Sequence, residues 1–210
     1  MAGTLVKICG LSSPETLAAA VQAGASHVGL VHFAKSPRHL TLAAAARLRA
    51  AVPPQVKAVL LVVNPTPDLL ADAVREVRPD VVQFHGQEAP DLLARFRTET
   101  GIEAWRAMAV RDAASLADVA QFRGAADRVL LDAPASALPG GNGTRFDWAL
   151  LAGWQPPLAW GLAGGLTPGN VTEAIRLTGA PLVDTSSGVE RSPGIKDVDK
   201  ITAFCKATRI

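Results

Sequence analysis

Short apolar runs alternate with longer, more polar segments along the whole chain. The short runs are rich in Val, Ile and Leu, which favour β-strands, and the longer segments are rich in Ala, Leu, Glu and Arg, which favour helices. Successive runs begin about 20 to 30 residues apart, which is the length of one strand and one helix. The pattern predicts strands at Leu5–Cys9, His27–Phe33, Lys57–Val63, Asp80–Phe84, Glu103–Ala107, Arg128–Asp132, Leu158–Ala163 and Leu182–Ser186.

Helix-capping signals stand between several of these runs. Ser13-Pro14-Glu15 places an N-cap hydroxyl, a first-turn proline and an acidic side chain at the start of a helix. Thr66-Pro67-Asp68 repeats the arrangement, and Thr167-Pro168 predicts a third helix start. The glycines expected to end helices are Gly24, Gly101 and Gly179.

Eight strands alternating with eight helical stretches predict a closed (β/α)8 barrel of nearly minimal size. A doubly wound open sheet has the same alternation and is the alternative, but eight units of similar length favour the barrel. No long polar or low-complexity segment divides the chain, so residues 1–210 are expected to form a single domain. In such barrels the functional residues lie at the carboxyl ends of the strands and in the loops that follow.

Composition excludes several classes of protein. Apolar residues make up 49% of the 210 residues and charged residues 19%, which is not the composition of a disordered chain. The net charge is +2 and the basic residues are scattered, so we expect no nucleic-acid partner and no binding to a membrane surface.

The two cysteines, Cys9 and Cys205, are too few for a disulfide framework and lack metal-ligand spacing. Lys7 interrupts the apolar start of the chain, so no signal peptide is expected. The longest strand-like apolar run, residues 58–63, is far shorter than the roughly 20 residues of a membrane span. These features indicate a soluble protein of the reducing cytoplasm.

The first predicted strand ends in a cysteine. Side chains alternate across a strand, so Cys9 and Lys7 lie on the same face, one layer apart. A buried ammonium needs a partner, and either Asp132 or Asp184 can supply it. A nearby cation also favours loss of the thiol proton, and a thiolate with a pKa near 7 suits a catalytic base. Cys9 is therefore either a small core residue or a functional one.

Other strand ends carry groups suited to binding and proton transfer. Asp132 ends an aliphatic run. Burying a carboxylate there costs free energy unless the group is paired with a cation or takes part in the function. Gly164-Gly165 and Ser186-Ser187-Gly188 follow the last two strands, where barrels of this type commonly bind phosphate. Arg38 carries a planar guanidinium group that can donate two hydrogen bonds to a carboxylate. His85 is a candidate for a residue that lines the site.

At this point the chain resembles the phosphoribosylanthranilate isomerase family, a barrel enzyme family of tryptophan biosynthesis. The similar segments occur in family order from the first strand to the last helix. They are Val6-Lys7-Ile8-Cys9-Gly10, Ser36-Pro37-Arg38, Val82-Gln83-Phe84-His85-Gly86, Leu130-Leu131-Asp132, residues 140–148, residues 162–171, Val183-Asp184, residues 186–190 and residues 193–197. Thr185 and Phe84 depart from residues common in the family, and neither has an assigned role.

The resemblance implies an Amadori rearrangement of N-(5-phosphoribosyl)anthranilate, a small phosphorylated aminoaldose, to the aminoketose 1-(2-carboxyphenylamino)-1-deoxyribulose 5-phosphate. It implies Cys9 as general base, Asp132 as general acid and Arg38 as the group that binds the anthranilate carboxylate. The loops at Gly164-Gly165 and Ser186-Ser187-Gly188 would bind the phosphate. Asp184, His85 and Asp147 are expected to line the site.

No metal or organic cofactor is expected, since proton transfer and positioning suffice for this reaction. Two alternatives remain at this point. One is a histidine-pathway isomerase that performs the same rearrangement, although that family is expected to have an aspartate where Cys9 stands. The other is a catalytically silent barrel that binds a phosphorylated ligand. The family includes monomers and homodimers, and the sequence favours neither.

Overall fold

The predicted strands form a closed parallel barrel. The computed structural model describes residues 3–134 and 145–210, and within these residues eight strands pair in chain order, with the eighth pairing with the first. This closure confirms the barrel and excludes the open sheet. The strands are β1 (Leu5–Cys9), β2 (His27–His32), β3 (Lys57–Val62), β4 (Val81–Phe84), β5 (Glu103–Ala109), β6 (Arg128–Asp132), β7 (Trp160–Leu162) and β8 (Leu182–Thr185).

Helices cover the outside of the barrel. They are α1 (Pro14–Gln22), α2 (Leu42–Ala50), α3 (Pro67–Val77), α4 (Pro90–Thr100), α5 (Ala113–Ala117), α6 (Val171–Thr178) and α7 (Val198–Ala207), with 3-10 helices at Asp118–Phe122, Trp148–Leu151 and Ser187–Val189. In the described part of the connection from β6 to β7, the predicted helical stretch is only the 3-10 helix Trp148–Leu151. No helix in the described residues combines the length and apolar character that a membrane span requires.

The helix-capping signals are mostly confirmed. The hydroxyls of Ser13 and Thr66 accept hydrogen bonds from backbone amides one turn into α1 and α3, each at 3.2 Å. Gly101 and Gly179 end their helices with φ values of 69° and 65°, which is the left-handed region that glycine tolerates. The prediction at Thr167-Pro168 is wrong by one turn: α6 begins at Val171. The Thr167 amide instead donates to the side chain of Asn170, which forms a turn before the helix.

The barrel strands are apolar on both faces because both faces are covered. Their outward side chains pack against the helices in the main hydrophobic core. Their inward side chains fill the barrel with a second cluster that consists of Val59, Val81, Trp105, Ala107, Leu130 and Leu182. A third small cluster of Cys9, Val31 and Leu61 lies against Phe33 and Val63. The barrel interior is therefore filled, and the space for a ligand lies at its mouth.

A short antiparallel hairpin follows the eighth strand, and the strand pattern did not predict it. It consists of β9 (Glu190–Ser192) and β10 (Ile195–Lys196). The hairpin packs closely on the loop after β2. A Cβ added to Gly194 would lie only 2.5 Å from the carbonyl oxygen of Pro37, so only glycine fits at this contact. Residues near the end of the chain therefore contact the part of the mouth that holds Arg38.

Candidate active site

A cavity opens at the carboxyl ends of the barrel strands. Its empty volume is about 700 Å³, counting the part open to solvent. Most of the predicted site residues line it: Cys9, Arg38, His85, Asp132, Gly164, Gly165, Asp184, Ser186 and Ser187. The structure thus brings together side chains from six of the barrel strands or the loops that follow them.

Cys9 is the last residue of β1 and is 5% exposed. Gly29 on the neighbouring strand β2 leaves space for the Cys9 sulfur, because a side chain there would place its Cβ 2.9 Å from Sγ. Burial raises the pKa of the Cys9 thiol, although the charges of Lys7 and Lys196 oppose this rise. Desolvation is the larger effect, so a pKa near 7, the condition under which the sequence favours a thiolate, is not met in the structure.

Lys7 is fully buried one layer below Cys9, and its partner is Asp184. The Lys7 Nζ atom lies 3.0 Å from Asp184 Oδ1. Of the two candidate partners, Asp132 and Asp184, the structure therefore has Asp184. The register of β1 and β8 places these residues side by side. Burial alone would lower the pKa of Lys7, but the Asp184 carboxylate raises it, so the lysine is positively charged.

Asp132 ends β6 and is held by two neighbours. Its Oδ1 atom accepts a hydrogen bond from the Ala133 amide at 2.8 Å, and its Oδ2 atom lies 3.4 Å from His85 Nε2. His85 Nδ1 lies in turn 3.4 Å from the side-chain nitrogen of Gln83. Gln83 is a buried cavity residue to which the sequence analysis gave no role. The Asp132 carboxyl group therefore points into the cavity from a defined position.

The two glycine- and serine-containing loops form one side of the cavity. Gly164 and Gly165 have φ values of 83° and 63°, and a Cβ on Gly164 would lie 2.5 Å from the Ala133 nitrogen. Ser186 donates from Oγ to the carbonyl oxygen of Cys9 at 3.1 Å. Both loops therefore pack closely against the strand ends that carry Asp132 and Cys9.

Gly188 belongs to the same predicted group but does not line the cavity. A Cβ at this position would lie 1.9 Å from the carbonyl oxygen of Leu166, so Gly188 allows the loops after β7 and β8 to touch. Asp147, expected to line the site, caps a 3-10 helix through the Ala149 amide instead and borders a separate surface groove. The neighbouring family-like residues 140–144 lie outside the described residues.

Arg38 borders the cavity but is 8% exposed, which is unusual for a loop arginine. Its Nε and Nη2 atoms donate to the two carboxylate oxygens of Glu190 at 2.7 and 2.8 Å. Glu190 also accepts a hydrogen bond from Lys196 at 2.7 Å. Glu190 and Lys196 had no expected role, because the pair of Arg38 and Glu190 joins residues 152 positions apart and no local spacing connects them.

Comparison with known proteins gives a consistent family. The family model described as N-(5'phosphoribosyl)anthranilate (PRA) isomerase matches residues 6–207. A curated relative from Erythrobacter litoralis, named N-(5'-phosphoribosyl)anthranilate isomerase, is 62% identical over 98% of this chain and 99% of its own. A relative of the same name from Azorhizobium caulinodans is 49% identical over 97% of this chain and 91% of its own.

Solved structures agree with the sequence relatives. The phosphoribosyl anthranilate isomerase of Thermotoga maritima has a TM-score of 0.89 and 33% identity, and the match covers 98% of both chains. A phosphoribosyl anthranilate isomerase in complex with reduced 1-(o-carboxyphenylamino)-1-deoxyribulose 5-phosphate has a TM-score of 0.87 and 32% identity, also over 98% of both chains.

Proposed function

This chain belongs to the N-(5'-phosphoribosyl)anthranilate isomerase family, and we propose that Cys9 and Asp132 are the base and the acid of its reaction. The activity is the isomerisation of N-(5'-phosphoribosyl)anthranilate in tryptophan biosynthesis. The observation that supports the two assignments is that a thiol from β1 and a carboxyl group from β6 border one cavity, together with the glycine loops after β7 and β8.

The first step opens the ribose ring. Asp132 donates a proton to the ring oxygen, and the lone pair of the anilino nitrogen expels that oxygen from C1. The products of this step are an open-chain iminium ion and a carboxylate at Asp132. His85, at 3.4 Å from Asp132 Oδ2, stabilises that carboxylate.

The second step moves a proton from C2. The iminium ion makes the C2 proton acidic, and the Cys9 thiolate removes it, so that the electrons of the C–H bond neutralise the iminium nitrogen. The resulting enolamine tautomerises to the aminoketone. Burial of Cys9 favours the neutral thiol, and the buried Lys7 and Lys196 ammonium groups supply the opposing charge that makes a thiolate accessible.

Anchors at both ends of the substrate hold C2 and the ring oxygen between the base and the acid. We assign the phosphate to the loops that contain Gly164, Gly165, Ser186 and Ser187, and the carboxylate to Arg38 where it borders the cavity. Such positioning contributes about 7 to 11 kcal/mol to barrier lowering in the best model reactions.

The proposed function is tested by incubating purified protein with phosphoribosylanthranilate and following the loss of anthranilate fluorescence. Turnover without added metal is expected, and so is growth of a tryptophan auxotroph that lacks this step when it expresses the chain. Arg38→Ala should raise the KM for the carboxylated substrate, and an unchanged KM would remove Arg38 from the carboxylate site.

The same assignments support proposals for the assembly and the compartment. All of the proposed catalytic and binding residues come from one chain, which allows the protein to act as a monomer or as a homodimer. A cytoplasmic location is proposed because Cys9 must stay reduced to act as a base, and disulfides are rare in that compartment.

A further inference from the structure

Glu190 is a buried carboxylate that is saturated with hydrogen bonds. It begins β9 and is 8% exposed. Its Oε1 atom accepts from Arg38 Nε and Lys196 Nζ, each at 2.7 Å, and its Oε2 atom accepts from Arg38 Nη2 at 2.8 Å and from the Gly194 amide at 3.3 Å. Since a carboxylate has about four lone-pair sites, Glu190 is not placed to exchange a proton with a substrate.

Lys196 continues the network toward the loop after β8. Its Nζ atom donates to Glu190 Oε1, to the Ser186 carbonyl oxygen at 2.9 Å and to Ser186 Oγ at 3.1 Å. An ammonium group has three donors, so these three acceptors use all of them. Ser186 then donates to the carbonyl oxygen of Cys9 at 3.1 Å. We call Arg38, Glu190, Lys196 and Ser186 the Glu190 bridge.

The Glu190 bridge connects the two sides of the cavity that are assigned to anions. Arg38 stands at the carboxylate end, and Ser186 stands at the phosphate end. The stem of Arg38 also packs over the end of β1, since a Cβ on Gly10 would lie 2.6 Å from Arg38 Cδ. The separation of the two ends is therefore fixed by buried contacts and does not depend on a flexible surface side chain.

The charges of the bridge favour anion binding. Two cations, Arg38 and Lys196, surround one anion, Glu190, which leaves one positive charge in excess beside the cavity. Although burial opposes ionisation, the hydrogen bond from Arg38 and the charge of Lys196 lower the pKa of Glu190. Without the carboxylate, two buried like charges would face each other, and Arg38 would have to be ordered when the ligand binds.

We propose that Glu190 is a positioning residue whose carboxylate holds Arg38 and Lys196 and so sets the distance between the carboxylate-binding and phosphate-binding ends of the site. This inference rests on the proposed assignment of those two ends. Glu190 then determines how well the site accepts a substrate with two anions at this separation, although it touches neither of the reacting atoms.

Glu190→Gln tests the proposal in the full chain because it keeps the shape of the side chain and removes its charge. The KM for phosphoribosylanthranilate should rise about tenfold or more while kcat changes less than about threefold, since the interaction lost is one of binding. Lys200→Met is the matched control. Lys200 is exposed and bonds the backbone carbonyl of Glu190, so its loss should leave both constants unchanged.

A double variant shows whether Glu190 acts through Arg38. In the Arg38→Lys background, Glu190→Gln should raise the KM by a smaller factor than in the wild type, because the guanidinium that Glu190 holds is already gone and only the contact with Lys196 is still to be lost. Additive effects of the two substitutions would overturn the proposal. Glu190→Asp keeps the charge and should give an intermediate KM, which keeps the test available if Glu190→Gln does not fold.

The remaining outcomes separate this inference from the proposed function. If Arg38→Lys raises the KM and Glu190→Gln does not, the bridge is refuted and the assignment of Arg38 stands. If neither substitution raises the KM, the carboxylate assignment of Arg38 fails, and the bridge fails with it. A lower melting temperature for Glu190→Gln with an unchanged KM would show a structural role only and would refute the positioning role.

Discussion

His27 is expected to make the barrel sensitive to mild acid. It begins β2 with its ring inside the barrel, where it is 6% exposed and lies 5.0 Å from the Trp105 ring. Its Nδ1 atom lies 2.8 Å from the hydroxyl of Ser26. Burial, together with the positive charges of Lys7, Arg128 and Lys57, lowers its pKa from 6.5 to about 3.

The sign and size of the effect follow from proton linkage. Above pH 6.5 His27 is neutral in both the folded and the unfolded chain, so it adds no pH dependence. Between pH 6.5 and 3 the unfolded chain binds the proton and the folded chain does not, so stability falls as the pH falls. The loss attributable to His27 is about 2 kcal/mol at pH 5 and about 4 kcal/mol at pH 3.

Urea unfolding of wild type and His27→Gln, followed by tryptophan fluorescence, measures this loss. Other groups titrate in both proteins, so the difference between the two pH dependences isolates His27. Between pH 7.5 and 5 the wild type should lose about 2 kcal/mol more stability than the variant. Parallel curves, or a His27 ring that NMR shows to be protonated at pH 5 in the folded protein, would refute the reasoning.

Two further substitutions test the packing of the barrel, each by urea unfolding. Gly161→Ala should destabilise the fold by about 1–3 kcal/mol, because its Cβ would lie 2.7 Å from a methyl group of Leu182. Gly169→Ala is the control and should be nearly neutral, because its Cβ would lie 3.8 Å from the hydroxyl oxygen of Thr167; equal losses would contradict the packing argument. Lys7→Met should cost about 3–5 kcal/mol, because Asp184 stays buried without its 3.0 Å partner, and an unchanged unfolding midpoint would contradict this.

Local signals predicted the scaffold well because they act over short stretches of chain. Val-rich runs became strands to within a few residues, and Ser13 and Thr66 cap helices as their sequence neighbours suggested. The prediction at Thr167-Pro168 failed because Asn170 offers a competing side-chain acceptor within the same turn.

The site was predicted in part, for a different physical reason. A barrel brings all the strand ends to one face, so Cys9 and Asp132 were expected to meet without any knowledge of their contacts. The ion pairs within the site were predicted less well: the partner of Lys7 was narrowed to Asp132 or Asp184, whereas the pair of Arg38 and Glu190 was not expected. Arg38 and Glu190 lie 152 positions apart, and no periodicity of the sequence relates them.

The balance between burial and charge at Cys9 could not be predicted from the sequence either. Lys7 near Cys9 suggested a lowered thiol pKa, but the sequence does not show how deeply the sulfur is buried. In the structure desolvation outweighs the lysine, and the pKa of Cys9 is raised. The direction of such a shift depends on the three-dimensional surroundings on every side of the group.

The most direct test of the account is the turnover of Cys9→Ala and Asp132→Ala at saturating phosphoribosylanthranilate. Loss of a positioned base or acid should lower kcat by at least about a hundredfold in each variant. Both variants should keep the urea-unfolding transition of a folded barrel. Wild-type turnover in either folded variant would contradict the claim that these two side chains perform the proton transfers.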